Sequence, residues 1–285
     1  MIKKDLIVLN KINDSETSRK FAEEHFHDEW ALSEDYEQIN VIKRNEAATA
    51  PEMRFIKSIL GDIGGKTILD VGCGLGEVSV YFALQGAEVT ATDISSGMCE
   101  ITKKLATKNG VNIKTHVSAI EDFGLPKEMQ YDVIYTGNTL HHANIELMLG
   151  NILPHLKNDG IFVSWDPVAY NPVINIYRAI ANKVRTADEH PLRRKDIELI
   201  KSNFANSEVK WFWLTTLIIF ILMVIVQFRS PNKERFWKKV IDESEKWLWL
   251  YIPLEALDRF ILKLFPLLGY LCWNVAIIGK NKLKR

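Results

Sequence analysis

Short apolar runs of strand length alternate along this chain with longer stretches in which apolar positions recur every three or four residues. Thr67–Val71, broken only by Asp70, has the pattern of a buried parallel strand. Ala87–Asp93, Ile113–Val117, Asp132–Thr136 and Ile161–Trp165 follow as further strands. Between them Val78–Leu84, Met98–Asn109 and Glu146–Leu156 read as helices, the first two closed by Gly86 and Gly110. Ahead of the first strand, Ser18–Trp30 is charged and helical in character. Ala47–Leu60 is a second helix, with Met53, Ile56, Ile59 and Leu60 on one face and Gly61 at its end. Tyr170-Asn171-Pro172 opens another, running to Val184. Alternation of this kind predicts an α/β domain on a mostly parallel sheet.

The turn after the first strand carries Gly72, Gly74 and Gly76 at alternate positions. Strand, glycine turn and helix together let a backbone approach a ligand, and they aim the helix's first N–H groups at it. A dinucleotide fingerprint would need its third glycine at position 77, which is Glu77. A carboxylate there is a poor neighbour for a pyrophosphate, so an NAD-dependent oxidoreductase is disfavoured. The second strand ends in Asp93, aimed at the same place because ligands of open α/β sheets sit at the strands' carboxyl ends. A carboxylate can accept from both hydroxyls of a ribose, and Ser95 or Ser96 is better placed than Asp93 to cap the next helix.

Asp70-Val-Gly-Cys-Gly-Leu-Gly76 resembles motif I of the class I S-adenosylmethionine (SAM) dependent methyltransferases, and Asp93-Ile-Ser-Ser-Gly-Met98 resembles their next motif. The resemblance covers about Gly65 to Trp165. It implies a Rossmann-like seven-stranded sheet with an antiparallel last strand. It also implies SAM as cofactor, S-adenosylhomocysteine as product, and an N-terminal helical lid over residues 1–60. Cofactor contacts are then expected from Asp70, Gly72, Cys73, Gly74, Gly76, Asp93, Ile94, Met98, Ser118, Ala119, Ile120 and Asn138. Ser118 stands where the family usually has an acid for the adenine amino group. Gly137-Asn-Thr-Leu-His-His142 is similar to a turn at the family's active-site wall, which makes His141 and His142 candidate bases or turn-ordering groups. Asp166, Tyr170, Arg178, Arg185 and His190 are acceptor-side candidates in or near the polar loop after strand five. No metal site is expected: His25 and His27 beside Asp28 alternate on a helix and point to different faces.

From Glu208 the composition changes. Trp211–Phe228 holds no charge for eighteen residues, about 27 Å as one helix against ~30 Å of bilayer core, so a span is admissible. The family's fold argues otherwise. Tyr270–Gly279 reads as the last strand and Glu208–Leu214 as the sixth. The SAM-binding core is then 61–214, residues 215–268 a hydrophobic helical insertion, and 269–285 the last strand with a basic tail. Helices are expected at Thr215–Phe228, Glu234–Leu250 and Leu254–Phe265. Six of the eight tryptophans follow residue 210, and Lys233, Arg235, Lys238, Lys239 and Lys246 flank the apolar helices. That combination suits peripheral membrane contact through 211–268, a lipophilic-acceptor channel, a buried lid or a homodimer face.

Charge balances at 36 basic and 36 acidic residues, which argues against a polyanion held by bulk charge, so no nucleic-acid partner is expected. Cys73, Cys99 and Cys272 form no close pair, as suits a reducing compartment. Near the N-terminus only four apolar residues are consecutive, too few for a signal-peptide core. The reading is a cytoplasmic enzyme, with attachment to the inner face of the membrane left open, that methylates a small hydrophobic or lipid-like acceptor. An RNA or protein methyltransferase remains the alternative on the same core.

Overall fold

The structure, a computed structural model, describes residues 2–181 and 189–283, with side chains from Ser18 onward. Seven strands form one sheet: β1 (Thr67–Val71), β2 (Glu88–Asp93), β3 (Lys114–Val117), β4 (Tyr131–Gly137), β5 (Leu156–Pro167), β6 (Phe204–Phe212) and β7 (Asn274–Lys282). Their order is β3-β2-β1-β4-β5-β7-β6. The pairs from β3 to β5 are parallel, and β7 runs antiparallel to both β5 and β6. The chain therefore reverses its winding between β1 and β4, which opens a crevice at their carboxyl ends.

Helices α1 (Ile2–Ser33), α2 (Val41–Glu46) and α3 (Pro51–Leu60) precede the sheet; α4 (Glu77–Leu84), α5 (Ser96–Lys108) and α6 (Ile145–Ile152) connect its strands. Further along come α7 (Pro172–Ile180), α8 (Arg194–Lys201), α9 (Ile218–Ile225), α10 (Phe236–Asp242) and α11 (Ser244–Leu264). Alternate residues of the buried strands feed two cores. Ile68 and Val133 pack on one face with Ile56, Phe82, Met98 and Leu105. Leu69 and Ile134 pack on the other with Met148, Ile152, Ile197 and Ile200. This two-sided burial is what the uninterrupted apolar strands require.

β6 begins at Phe204, four residues ahead of its expected start. Its first half is a solvent-exposed edge whose partner β7 extends to Lys282, a pairing that leaves no apolar signature in the sequence. β7 in turn starts at Asn274, because Pro266–Leu271 coils into a 3-10 turn. The apolar run 211–228 is not one helix. Trp213 adopts φ 68°, Thr215–Leu217 forms a single 3-10 turn, and α9 spans only eight residues. Among the described residues no helix is long and apolar enough to cross a membrane.

The break expected between Leu250 and Leu254 falls instead at Glu243, which divides the expected Glu234–Leu250 helix between α10 and the start of α11. α11 passes straight through Pro253, which lies with Trp249 on the exposed face, so water can serve the carbonyl that the proline ring leaves without a donor. α9–α11 share a third core of Phe220, Met223, Phe236, Val240, Trp247 and Tyr251, seated on Ile174 and Ala276. The buried Asp258 of α11 accepts hydrogen bonds from the Leu214 and Thr215 amides (3.1 and 2.6 Å) and from the Thr216 hydroxyl (2.8 Å). It satisfies the amides that end β6 and begin the next turn, and so holds the helical unit against the sheet.

Candidate active site

A cavity of about 310 Å³ opens at the carboxyl ends of β1, β2, β4 and β5. Asp70, Gly72, Cys73, Gly74, Asp93, Ile94, Ile120, Asn138, His141 and His142, all singled out in the sequence, line it. Gly72, Gly74 and Gly76 take φ of 76°, 52° and 79°, a left-handed path that L side chains resist. The amides of Gly72 and Cys73 both donate to the Thr92 carbonyl (2.8 and 2.9 Å), which ties the turn to β2.

Asp93 completes that tie. One oxygen accepts from the Gly74 amide (2.9 Å) and the other from the Ser95 amide (3.0 Å). Ser95 takes the capping role on α5, accepting from the Met98 amide at 3.0 Å. Asp93 is thus engaged by backbone, and each of its oxygens keeps a further lone pair for a ligand. Asp70 is buried, takes the Ser79 hydroxyl on one oxygen, and has no hydrogen-bond partner for the other among the described residues. Burial lifts its pKa to about 7, the Ser79 bond opposing and the Asp93 charge adding to the shift.

Four expected cofactor residues do not line the cavity. Met98 is wholly buried in the core. Gly76 begins α4 against Thr102, and Ala119 precedes a short 3-10 turn. Ser118 donates its amide to the Asp93 carbonyl (2.9 Å), while its hydroxyl is buried without a partner among the described residues.

At the opposite wall the two histidines are held in matching fashion. His141 Nδ1 lies 2.9 Å from the Asp166 carboxylate, which also accepts the His141 amide (3.3 Å). His142 Nδ1 lies 3.0 Å from Glu23 of α1, and the ring centroids of the two histidines are 4.1 Å apart. Burial pushes the Asp166 carboxyl well above the usual carboxylate range, against the pull of the amides donating to it. Asp166 therefore acts behind His141 rather than on the cavity itself. His190 donates its amide to the His141 carbonyl (2.7 Å) and so pins the neighbouring Glu189, which does line the cavity. Tyr170 is half-exposed and accepts from the Arg194 amide outside the cavity, whereas Arg178 lines it. Arg185 lies outside the described residues.

α1 forms the roof. Asp28 accepts from the Ser95 hydroxyl and the Gly97 amide (3.0 Å), which hooks the helix onto the start of α5. His27 is stacked edge-on near His142. Burial works against its charge, but the Glu23 bond and the Asp93 field outweigh this and raise its pKa. Two of the basic residues read as membrane flanks turn inward instead. Arg235 stacks on the Trp30 ring at 3.8 Å, and the buried Lys238 pairs with Glu77 at 3.3 Å. Arg44 also pairs with Glu77, so two cations neutralise the carboxylate at the glycine turn. Glu23, Trp30, Glu189 and the inward face of α10 had no local sequence signal; they reach the cavity through tertiary packing alone.

A doubly wound sheet, a left-handed glycine turn and a strand-end carboxylate at the reversal point define a site of the Rossmann type. Residues 68–160 match the family model described as a methyltransferase domain. The ubiquinone biosynthesis O-methyltransferase of Rickettsia prowazekii is 38% identical over 109 residues, 38% of this chain and 42% of that protein. Its counterpart in Bordetella parapertussis is 28% identical over 118 residues, 41% of this chain and 49% of that protein. The match thus spans less than half of either relative. In fold the chain is similar to the YcgJ protein of Bacillus subtilis (TM-score 0.51, 16% identity, covering 81% of this chain and 98% of that one). It is also similar to the geranyl diphosphate C-methyltransferase of Streptomyces coelicolor A3(2) (TM-score 0.55, 13% identity, 80% and 77%). The chain carries a class I SAM-dependent methyltransferase domain of Rossmann-like architecture.

Proposed function

We propose that this protein transfers a methyl group from SAM to an oxygen of a small, lipid-like acceptor. The observation that carries the reading is the convergence of the glycine turn, Asp93 and the half-satisfied Asp70 on one cavity. The residues fit the cofactor. Asp93 would accept from its ribose hydroxyls, Ile94 and Ile120 would lie against the adenine, and the unpartnered Asp70 oxygen suits its ammonium group. SAM supplies an activated methyl: the acceptor oxygen attacks it in line, the carbon–sulfur bond breaks, and S-adenosylhomocysteine leaves. The chain contributes alignment and exclusion of water, with α1 as roof and α10 as side wall. The acceptor's proton leaves at the wall formed by His141 and His142.

Oxygen as the acceptor atom is suggested by relatives named as O-methyltransferases. A lipid-like acceptor is suggested by the apolar wall of Ile174, Tyr177 and Trp273, and by the outer face of α11. There Trp249, Pro253, Ala256, Phe260 and Leu264 follow helical spacing and are all exposed, Trp249 by 73% and Phe260 by 61%. Lys246, Arg259 and Lys263 border the stripe, and they are exposed too. An apolar stripe edged with cations suits the surface of an anionic bilayer.

With labelled SAM and a cell extract, label is expected in the lipid-soluble small-molecule fraction. Label confined to RNA or protein would sink the proposed acceptor class. In flotation with anionic phospholipid vesicles, the protein should rise with the lipid, and Trp249→Ser with Phe260→Ser should lower the bound fraction at least fivefold. Equal binding by the double variant would remove α11 from the membrane contact.

A further inference from the structure

The wall opposite the glycine turn has a composition that methyl transfer by alignment alone does not call for. His141, His142 and Glu189 each offer one ligand atom, and those atoms lie within 4.8 Å of one another. All three residues line the cavity. Both imidazoles are oriented from behind: Asp166 takes His141 at Nδ1 (2.9 Å) and Glu23 takes His142 at Nδ1 (3.0 Å). An acidic partner on Nδ1 orients each ring and leaves Nε2 as the nitrogen that can serve as a ligand. This is the outer-shell arrangement of metal-binding histidines. The backbone beside the third residue is anchored to the same turn, because the His190 amide donates to the His141 carbonyl at 2.7 Å. Three distant parts of the chain, α1, the turn after β4 and the segment at 189–190, thus converge on one point.

We propose that His141, His142 and Glu189 form a binding site for one divalent first-row cation of the zinc type. Two imidazoles and a carboxylate suit zinc, cobalt, iron or manganese, whereas magnesium and calcium demand mostly oxygen ligands. Ligands on one tetrahedral ion are about 3.3 Å apart. Closing from 4.8 Å therefore asks only for small side-chain rotations. Three protein ligands leave a position open toward the cavity, the pattern of a working rather than a structural site. On the methyltransfer reading, that position would take the acceptor's oxygen and hold it facing the methyl donor.

The test is titration of the chelator-stripped full chain with Co2+, followed by its absorption in the visible range, with no SAM or acceptor present. One equivalent should bind, Zn2+ should displace it, and millimolar Mg2+ should not. Glu189→Gln and His142→Gln should each weaken Co2+ at least tenfold while the far-UV spectrum and melting temperature hold. Glu23→Gln, which removes the carboxylate behind His142 and beside His27 without touching a proposed ligand, should weaken it about tenfold. Absence of stoichiometric binding would overturn the proposal. So would binding that these variants leave unchanged, since the ion would then sit on other histidines. Failure of methyl transfer with Co2+ binding intact would count against the proposed function and leave the metal site standing.

Discussion

Asp93→Ala should weaken SAM binding by about a hundredfold or more while the protein stays folded. A hydrogen bond to a charged acceptor contributes about 1.5–3 kcal/mol, and the two ribose hydroxyls would lose theirs together. Loss of the Gly74 amide's acceptor adds to this, because that amide holds the glycine turn in place. Asp93→Asn separates the two effects. It keeps one carbonyl oxygen for the turn but forfeits the charge, so it should fall between wild type and alanine. Calorimetric titration with SAM, beside a thermal melt, reads both quantities. An alanine variant that melts normally and binds within threefold of wild type would sink the ribose assignment.

Gly72→Ala should be the most damaging single methyl group in the site. Residue 72 has φ 76°, which costs an L residue about 1–2 kcal/mol. A Cβ there would stand 2.4 Å from Thr139 Cγ2 and 2.5 Å from its Oγ1, a clash costing about 1–3 kcal/mol more. The melting temperature should fall by roughly 3–8 °C and SAM binding should become undetectable. Because Thr139 begins the turn that carries His141 and His142, the damage would spread from the cofactor wall to the acceptor wall. Thr139→Ala removes the two nearest atoms. The double variant should therefore recover part of the loss, a non-additivity that a simple φ penalty would not produce. Wild-type melting and binding in Gly72→Ala would mean the turn has more freedom than its contacts indicate. Gly74 gives the contrast: at φ 52° it is strained for other residues, yet a Cβ there meets nothing within 4 Å.

What the sequence disclosed and what it hid follow from the range of the interactions. The five parallel strands, the glycine turn and Asp93 were legible because each has a local signature: an uninterrupted apolar run, a left-handed requirement, a carboxylate at a strand end. The support behind the site has none. Glu23 reaches His142 across 119 positions and Asp28 reaches Ser95 across 67, pairings that no short pattern announces. Lys238 and Arg235 looked like surface cations because they border an apolar helix; only the packing of α10 against Trp30 and Glu77 turns them inward. The break expected between Leu250 and Leu254, where Pro253 stands, is absent for a related reason. A proline ends a helix on propensity grounds, yet on an exposed face the cost is borne by water while packing at Trp247, Tyr251 and Asp258 carries the helix on.

The site is divided along the chain as well as in space. On the proposed function the cofactor would meet one uninterrupted stretch, Asp70 to Asn138, whereas the acceptor would meet His141 and His142 together with α1, α7, the segment at 189 and the α10 region. Much of that second set can therefore change, by insertion or drift at either end of the chain, while the hydrogen bonds that tie the glycine turn to Thr92 and Asp93 stay as they are. On that reading the 68–160 stretch is the engine, and the choice of acceptor would rest largely with residues outside it.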